Sequence, residues 1–277
     1  MNTLFNNVKT AALLGTMFGL ILVLGLLLGG RGGLIIAFGF AIVTNFVAFF
    51  FSDTLALKAM RGQEVSEQTP GAGELVEMVH RLADRAALPR PRVYICPQQA
   101  PNAFATGRSP KKAAVAVTQG ALQLLTYDEL EGVMAHELAH VKNRDTLTST
   151  IAATIAGAIS FIAWMSIWDR EAHPLVRLGA FLLAPIAASV VQMAISRSRE
   201  FVADADGAAM AGSPNGLISA LQKLEGYSKR IPMQTQPSQN HMFIVQPFSG
   251  AGKSLANLFA THPPTQARIE KLRQAGV

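Results

Sequence analysis

The sequence predicts an α-helical membrane protein with four transmembrane helices that carries an α+β region outside the bilayer. Three observations support this fold class. Half of the 277 residues are hydrophobic and only 15% are charged, against roughly 25% in soluble globular domains. Four uncharged stretches, 11–30, 33–51, 146–168 and 178–195, approach the roughly 20 residues that cross a bilayer. Between and after these stretches the chain turns polar and shows helical and strand periodicities.

The first two stretches are built from Leu, Ile, Val, Phe, Ala and Gly and are separated by little more than Arg31-Gly32, so they form a tight hairpin. The first is too long for the apolar run of a signal peptide and no small-residue cleavage site follows it, so it reads as a retained anchor. The third and fourth stretches are richer in Ala, Ser and Thr and are joined by 169–177, giving a second hairpin in which Pro185 is expected to kink the last span. Lys9, Lys58, Arg61, Lys142, Arg144, Arg197 and Arg199 flank the spans on one side and outnumber Arg31, Arg170 and Arg177 on the other. That bias places the segment 52–145 and the C-terminal region in the cytoplasm. Trp164 and Trp168 then fall at the outer interface. The expected organisation is a hairpin at 1–52, a catalytic segment at 53–145, a second hairpin at 146–195 and a C-terminal segment at 196–277.

Outside the spans, 62–73 reads as a polar linker. Leu75, Met78, Val79 and Leu82 recur at helical spacing within 74–87, and Pro89 and Pro91 end that helix. Three strand-like runs follow at 92–96, 102–106 and 113–118, separated by Pro, Gly and basic turns. After the fourth span the chain reads as helix through Met210, again over 215–227, and finally from about Pro263. Cys96, alone in the sequence and set in an apolar run, reads as a small buried hydrophobe. The net charge of +6 comes without a basic stripe interleaved with aromatics, so no nucleic-acid partner is expected. Gly250 to Ser254 resembles the end of a phosphate-binding loop, but Pro247 stands where its first glycine is required, so no nucleotide is expected either. His80, His173 and His241 lack ligand-like spacing and read as surface residues.

Thr126 and Glu129 form a capping-box pattern ahead of Leu130, Val133 and Met134, which opens a helix carrying His136-Glu137-Leu138-Ala139-His140. Four residues of helix rotate the chain to within about 40° of its starting direction, so both imidazoles can reach one ion. Glu137 stands where a carboxylate can take a proton from water activated by that ion. This is the H-E-x-x-H pattern of zinc peptidases. A catalytic zinc needs a third protein ligand and an open position. Read as a helix, Glu200, Ala203, Asp204 and Gly207 share one face. Glu200 can supply the ligand, and Asp204 can accept a hydrogen bond from the second nitrogen of a ligand histidine. The alternative, in which both carboxylates pair with Arg197 and Arg199, stays open at this point.

These motifs together resemble the HtpX family of membrane zinc metalloproteases, which is related to the CAAX prenyl endopeptidases. The resemblance runs from the double span through the segment Pro101 to Gly107, Ala135 with the motif helix, and Val141 to Asp145. It continues through the second hairpin, Ser198-Arg199-Glu200-Phe201 with Ala203-Asp204, and Thr261-His262-Pro263-Pro264. It implies a zincin-like catalytic region, one Zn2+ bound by His136, His140 and Glu200, Glu137 as general base and a supporting role for Asp204. His262 and Arg268 match a His-Pro-Pro-x-x-x-Arg pattern in the prenyl endopeptidases and are candidates for holding the oxyanion. Asn102, with Ala103 and Phe104, is a candidate for gripping substrate backbone by strand addition. The family further implies quality control in a bacterial inner membrane and stress response, with misfolded or damaged membrane proteins as substrates and membrane lipid as surroundings. A prenyl-protein processing endopeptidase and a non-catalytic metal-binding scaffold are the rival readings. His140 precedes Thr146 by six residues and Glu200 follows Ile195 by five, which is roughly 7–9 Å of helix. The metal is therefore expected at the cytoplasmic membrane surface.

Overall fold

Alternating small and β-branched residues over 92–118, cut by Pro and Gly, form the strands that the alternation predicts. The computed structural model describes residues 50–149, 173–230 and 263–275, with single positions at 32, 35, 39, 43, 46, 152, 156 and 159. The chain divides into two units, one of Met1–Phe49 with Leu147–Ser198 and the other of Phe50–Thr146 with Arg199–Val277.

The second unit begins with helix α1 (Ser52–Ala59) and strand β1 (Gln63–Val65), followed by α2 (Gly73–Arg85), β2 (Arg92–Cys96), β3 (Ala103–Thr106) and β4 (Ala114–Thr118). The sheet order is β1-β2-β4-β3. β2 and β4 run parallel with Arg92 opposite Ala114, while β3 lies antiparallel to β4 with Ala103 opposite Val117. β1 replaces part of the expected linker and pairs antiparallel with β2. Its three residues show no apolar alternation and two are exposed, so hydrophobic pattern could not reveal it.

Because successive strand residues face opposite sides, the sheet separates two apolar clusters. Val93, Val115 and Val117 pack with Val79 and Leu82 of α2. Tyr94, Cys96, Phe104, Ala114 and Ala116 pack with Leu57 and Met60 at α1. Burial pushes the Cys96 thiol up to about 11, which suits a core residue rather than a nucleophile.

Helix α3 (Gln119–Leu124) is capped by Thr118, whose hydroxyl accepts from the Ala121 N–H at 3.2 Å. Helix α4 (Tyr127–Lys142) follows. Its capping box is complete: the Thr126 hydroxyl accepts from the Glu129 N–H, and the Glu129 carboxylate accepts from the Thr126 N–H at 2.8 Å. Helices α5 (Pro174–Ala211), α6 (Asn215–Arg230) and α7 (Thr265–Ala275) follow, and a short 3-10 turn at Pro110–Lys112 links β3 to β4.

The expected span 178–195 lies within α5, 11–30 lies outside the described residues, and 33–51 and 146–168 lie largely outside them. Among the described residues no helix is long and apolar enough to cross a membrane. His241 and the segment 250–254 also lie outside the described residues.

Helices α4 and α6 meet through reciprocal glycines. A Cβ on Gly132 would stand 2.4 Å from the Leu217 nitrogen, and one on Gly216 would stand 2.2 Å from the Asp128 oxygen. Both obstacles are backbone, so neither can rotate away. Gly132→Ala is therefore expected to destabilise this unit by about 1–3 kcal/mol, the usual cost of overpacking. A denaturant unfolding midpoint equal to that of the parent chain would contradict the contact.

Candidate active site

Helix α4 has a buried face that ends in chemistry rather than in aliphatic side chains. His136 and Glu137 are buried beside Ala135, Leu138 and Ala139, whereas the side chain of His140 keeps 20% of its surface. Helix α5 crosses this face closely: a Cβ on Gly207 would stand 2.9 Å from both Cα and N of His136. Ala203, one turn earlier, is fully buried. The small residues let α5 bring Glu200 and Asp204 to the two histidines.

The Nε2 atoms of His136 and His140 are 3.2 Å apart. Glu200 places one oxygen 3.6 Å from the first and the other 3.5 Å from the second. Together they form a group of potential metal donors. Nitrogen and oxygen ligands of tetrahedral zinc lie at 2.0–2.2 Å, which puts them roughly 3.3–3.6 Å from one another. The three donors therefore fit a cation of that size.

Tautomer chemistry gives the same answer. His136 Nδ1 is 3.0 Å from Asp204 Oδ1, and His140 Nδ1 is 2.7 Å from Asp145 Oδ2. A carboxylate near each Nδ1 favours the tautomer whose Nε2 can ligate a cation.

Residues 71–275 match peptidase family M48. The chain is 50% identical over 280 residues to a "Protease HtpX homolog" of Desulforapulum autotrophicum, covering 97% of this chain and 89% of the relative. It is 49% identical to one of Pyrococcus furiosus, covering 96% and 95%. The chain belongs to peptidase family M48. It is a metalloprotease whose substrates are peptides or proteins. Its fold is similar to the crystal structure of S. mikatae Ste24p, with a TM-score of 0.62 at 18% identity; the match covers 97% of this chain and spans 65% of that one.

In this M48 site Arg268 of α7 is 1% exposed. Its Nε and one terminal nitrogen donate to Asp204 at 2.9 and 2.6 Å, and its other terminal nitrogen lies 3.6 Å from Glu200. Burial pushes the Asp204 carboxyl up, but the charge and hydrogen bonds of Arg268 and the contact with His136 outweigh it and hold the group at about 2. Burial lowers His140, but the Asp145 hydrogen bond and the charges of Glu200, Asp145 and Glu137 raise it to about 9. The carboxylates around His140 favour positive charge there.

Glu137 points toward β3, where its Oε2 accepts from the Ala105 N–H at 2.8 Å. Ala105 lies in the expected strand 102–106, but its contact with Glu137 was not foreseen from the sequence. Among the three strand candidates, Asn102 is fully buried, with its N–H donating to the Thr118 hydroxyl and its carbonyl accepting from the Thr118 N–H. Antiparallel pairing alternates bonded and non-bonded positions. The Asn102 pairing turns the Asn102 and Phe104 backbone toward β4 and the Ala103 and Ala105 backbone outward. His262 lies outside the described residues.

The pairing of Glu200 and Asp204 with neighbouring arginines, left open by sequence, takes another form. Arg199 pairs with Asp145, and Asp204 pairs with Arg268. Asp145 follows the end of α4, and no periodicity linked it to His140.

The Gly207 contact gives a direct test. Gly207→Val should displace α5 from His136 and weaken zinc binding about tenfold, the low end of the cost of disturbing a ligand's support. An unchanged zinc dissociation constant would show that this helix approach does not set the donor geometry.

Proposed function

We propose that the chain is a zinc endopeptidase embedded in a bacterial inner membrane, with four spans, its active site on the cytoplasmic side, and misfolded or damaged membrane proteins as substrates. The observation that carries the peptidase mechanism is the Glu137 carboxylate, buried beside the His136–His140–Glu200 donor set and aimed at the outward face of an edge strand. Membrane insertion is supported by composition and by α5, on which Leu178, Leu182, Ile186 and Val190 recur every four residues and are all exposed. An exposed apolar row of that kind suits lipid.

Zinc held by His136, His140 and Glu200 would supply a Lewis acid that acidifies water and polarises the scissile carbonyl. The substrate lies extended against β3 and pairs with the outward backbone of Ala103 and the carbonyl of Ala105, whose N–H stays on Glu137, so that the scissile bond lies next to that carboxylate. Glu137 takes the proton from the attacking water and delivers it to the departing amine. Asp204 holds His136 by its Nδ1. Arg268 donates to Asp204, is directed at Glu200 and has a terminal nitrogen 3.4 Å from His136 Nε2, and it acts by holding these carboxylates in place. For the oxyanion the family resemblance offers His262 or Arg268.

Glu137→Gln keeps the size of the side chain and removes its basicity. Cleavage of an unfolded test protein should fall about 10²–10⁴-fold, the usual contribution of a positioned base, while bound zinc stays at the parent level. Cleavage equal to the parent would exclude Glu137 as the base.

A further inference from the structure

Helix α4 ends at Lys142 with Asn143 as its C-cap, and Arg144 then adopts the left-handed conformation with φ of 54°. The reversal brings Asp145 back onto the last turn, where its Oδ2 meets His140 Nδ1 at 2.7 Å. Its other oxygen receives the Arg199 guanidinium. A terminal nitrogen of Arg199 also donates to the Asn143 carbonyl at 2.7 Å. Asp145 and Arg199 are 7% and 8% exposed, so both charges are withdrawn from water and stay buried through each other.

We propose that Asp145 and Arg199 are a positioning pair that orients His140 and locks it to the third donor. Arg199 immediately precedes Glu200, so the same turn of α5 carries the donor to the site and the clamp for the opposite histidine. The pair reproduces on His140 what Asp204 and Arg268 do on His136. Each imidazole has a carboxylate at Nδ1, and each carboxylate has a buried arginine. Asp145 holds the proton on Nδ1, which keeps the Nε2 lone pair directed at the donor cluster. Arg199 fixes that carboxylate and the end of α4 together, so a shift of α5 moves Glu200 and releases His140 at once.

A plain helix cap would use the same two residues, since a cation near the last carbonyls stabilises a helix end. The two roles differ in what they move. A cap affects unfolding, whereas a positioning pair affects metal affinity and ligand geometry.

The inference rests on the proposed metal site, so the test includes Glu200→Gln beside Asp145→Asn, Arg199→Lys and their double variant in the full chain. The measurements are zinc affinity by chelator competition, the visible spectrum with Co2+ in place of zinc, and the unfolding midpoint of the metal-free chain. Asp145→Asn should bind zinc about 10–100-fold more weakly, as expected for loss of a ligand's carboxylate partner, and shift the Co2+ bands. Arg199→Lys should change both readouts in the same direction by a smaller factor. The double variant should fall short of the product of the single effects, because the residues act together. If Glu200→Gln loses zinc while Asp145→Asn binds within about threefold of the parent with an unaltered Co2+ spectrum, the pair is overturned and the site stands. If Asp145→Asn changes only the unfolding midpoint, the pair is a cap and the proposal fails. If Glu200→Gln binds zinc as the parent does, the site reading fails and the pair falls with it. Should Asp145→Asn not fold, Arg199→Lys decides by the same readouts.

Discussion

The close approach of α5 to α4 is the constraint on which the site depends. A glycine at 207 lets one helix rest against the backbone of His136, and the fully buried Ala203 keeps the approach close one turn earlier. Only at that separation can Glu200 place its two oxygens 3.5 and 3.6 Å from two imidazoles on another helix. The glycine contact between α4 and α6 holds the other end of α4 in the same way, with Glu129 of the capping box accepting from Ser219 of α6 at 2.6 Å. Position is therefore set by backbone contact, which cannot relax by rotating a side chain.

Charge constrains the site as closely as backbone contact does. Asp145, Glu200 and Asp204 are buried within one small region together with Arg199 and Arg268. Removing one partner of a buried ion pair typically costs 3–5 kcal/mol because the other charge is left uncompensated. The arrangement pairs each arginine with a carboxylate that lies beside a histidine. Geometry and charge thus select the same position. The Ala105 N–H adds a fixed dipole on Glu137 and joins the edge strand to the carboxylate proposed as the base.

Much of this was legible in the sequence for identifiable reasons. The strands at Arg92–Cys96, Ala103–Thr106 and Ala114–Thr118 lie between Pro and Gly punctuation, and α4 begins at a complete capping box. His136 and His140 share a helix face through the 3.6-residue period, and so do Glu200 and Asp204. β1 escaped because it has three residues and no alternation. Asp145 escaped because its contact requires a left-handed arginine, a conformation that no residue type announces there. That the Asn102 backbone pairs with β4 was not legible, since the register decides which residues of an edge strand turn their backbone outward.

The central claim is that two imidazoles and one carboxylate hold the metal. X-ray absorption fine structure at the zinc edge of the zinc-loaded full chain tests it most directly. The expected result is a first shell of nitrogen and oxygen at about 2.0–2.1 Å with the outer-shell scattering of two imidazoles and no sulfur. A shell containing sulfur, or an all-oxygen shell without imidazole scattering, would contradict it.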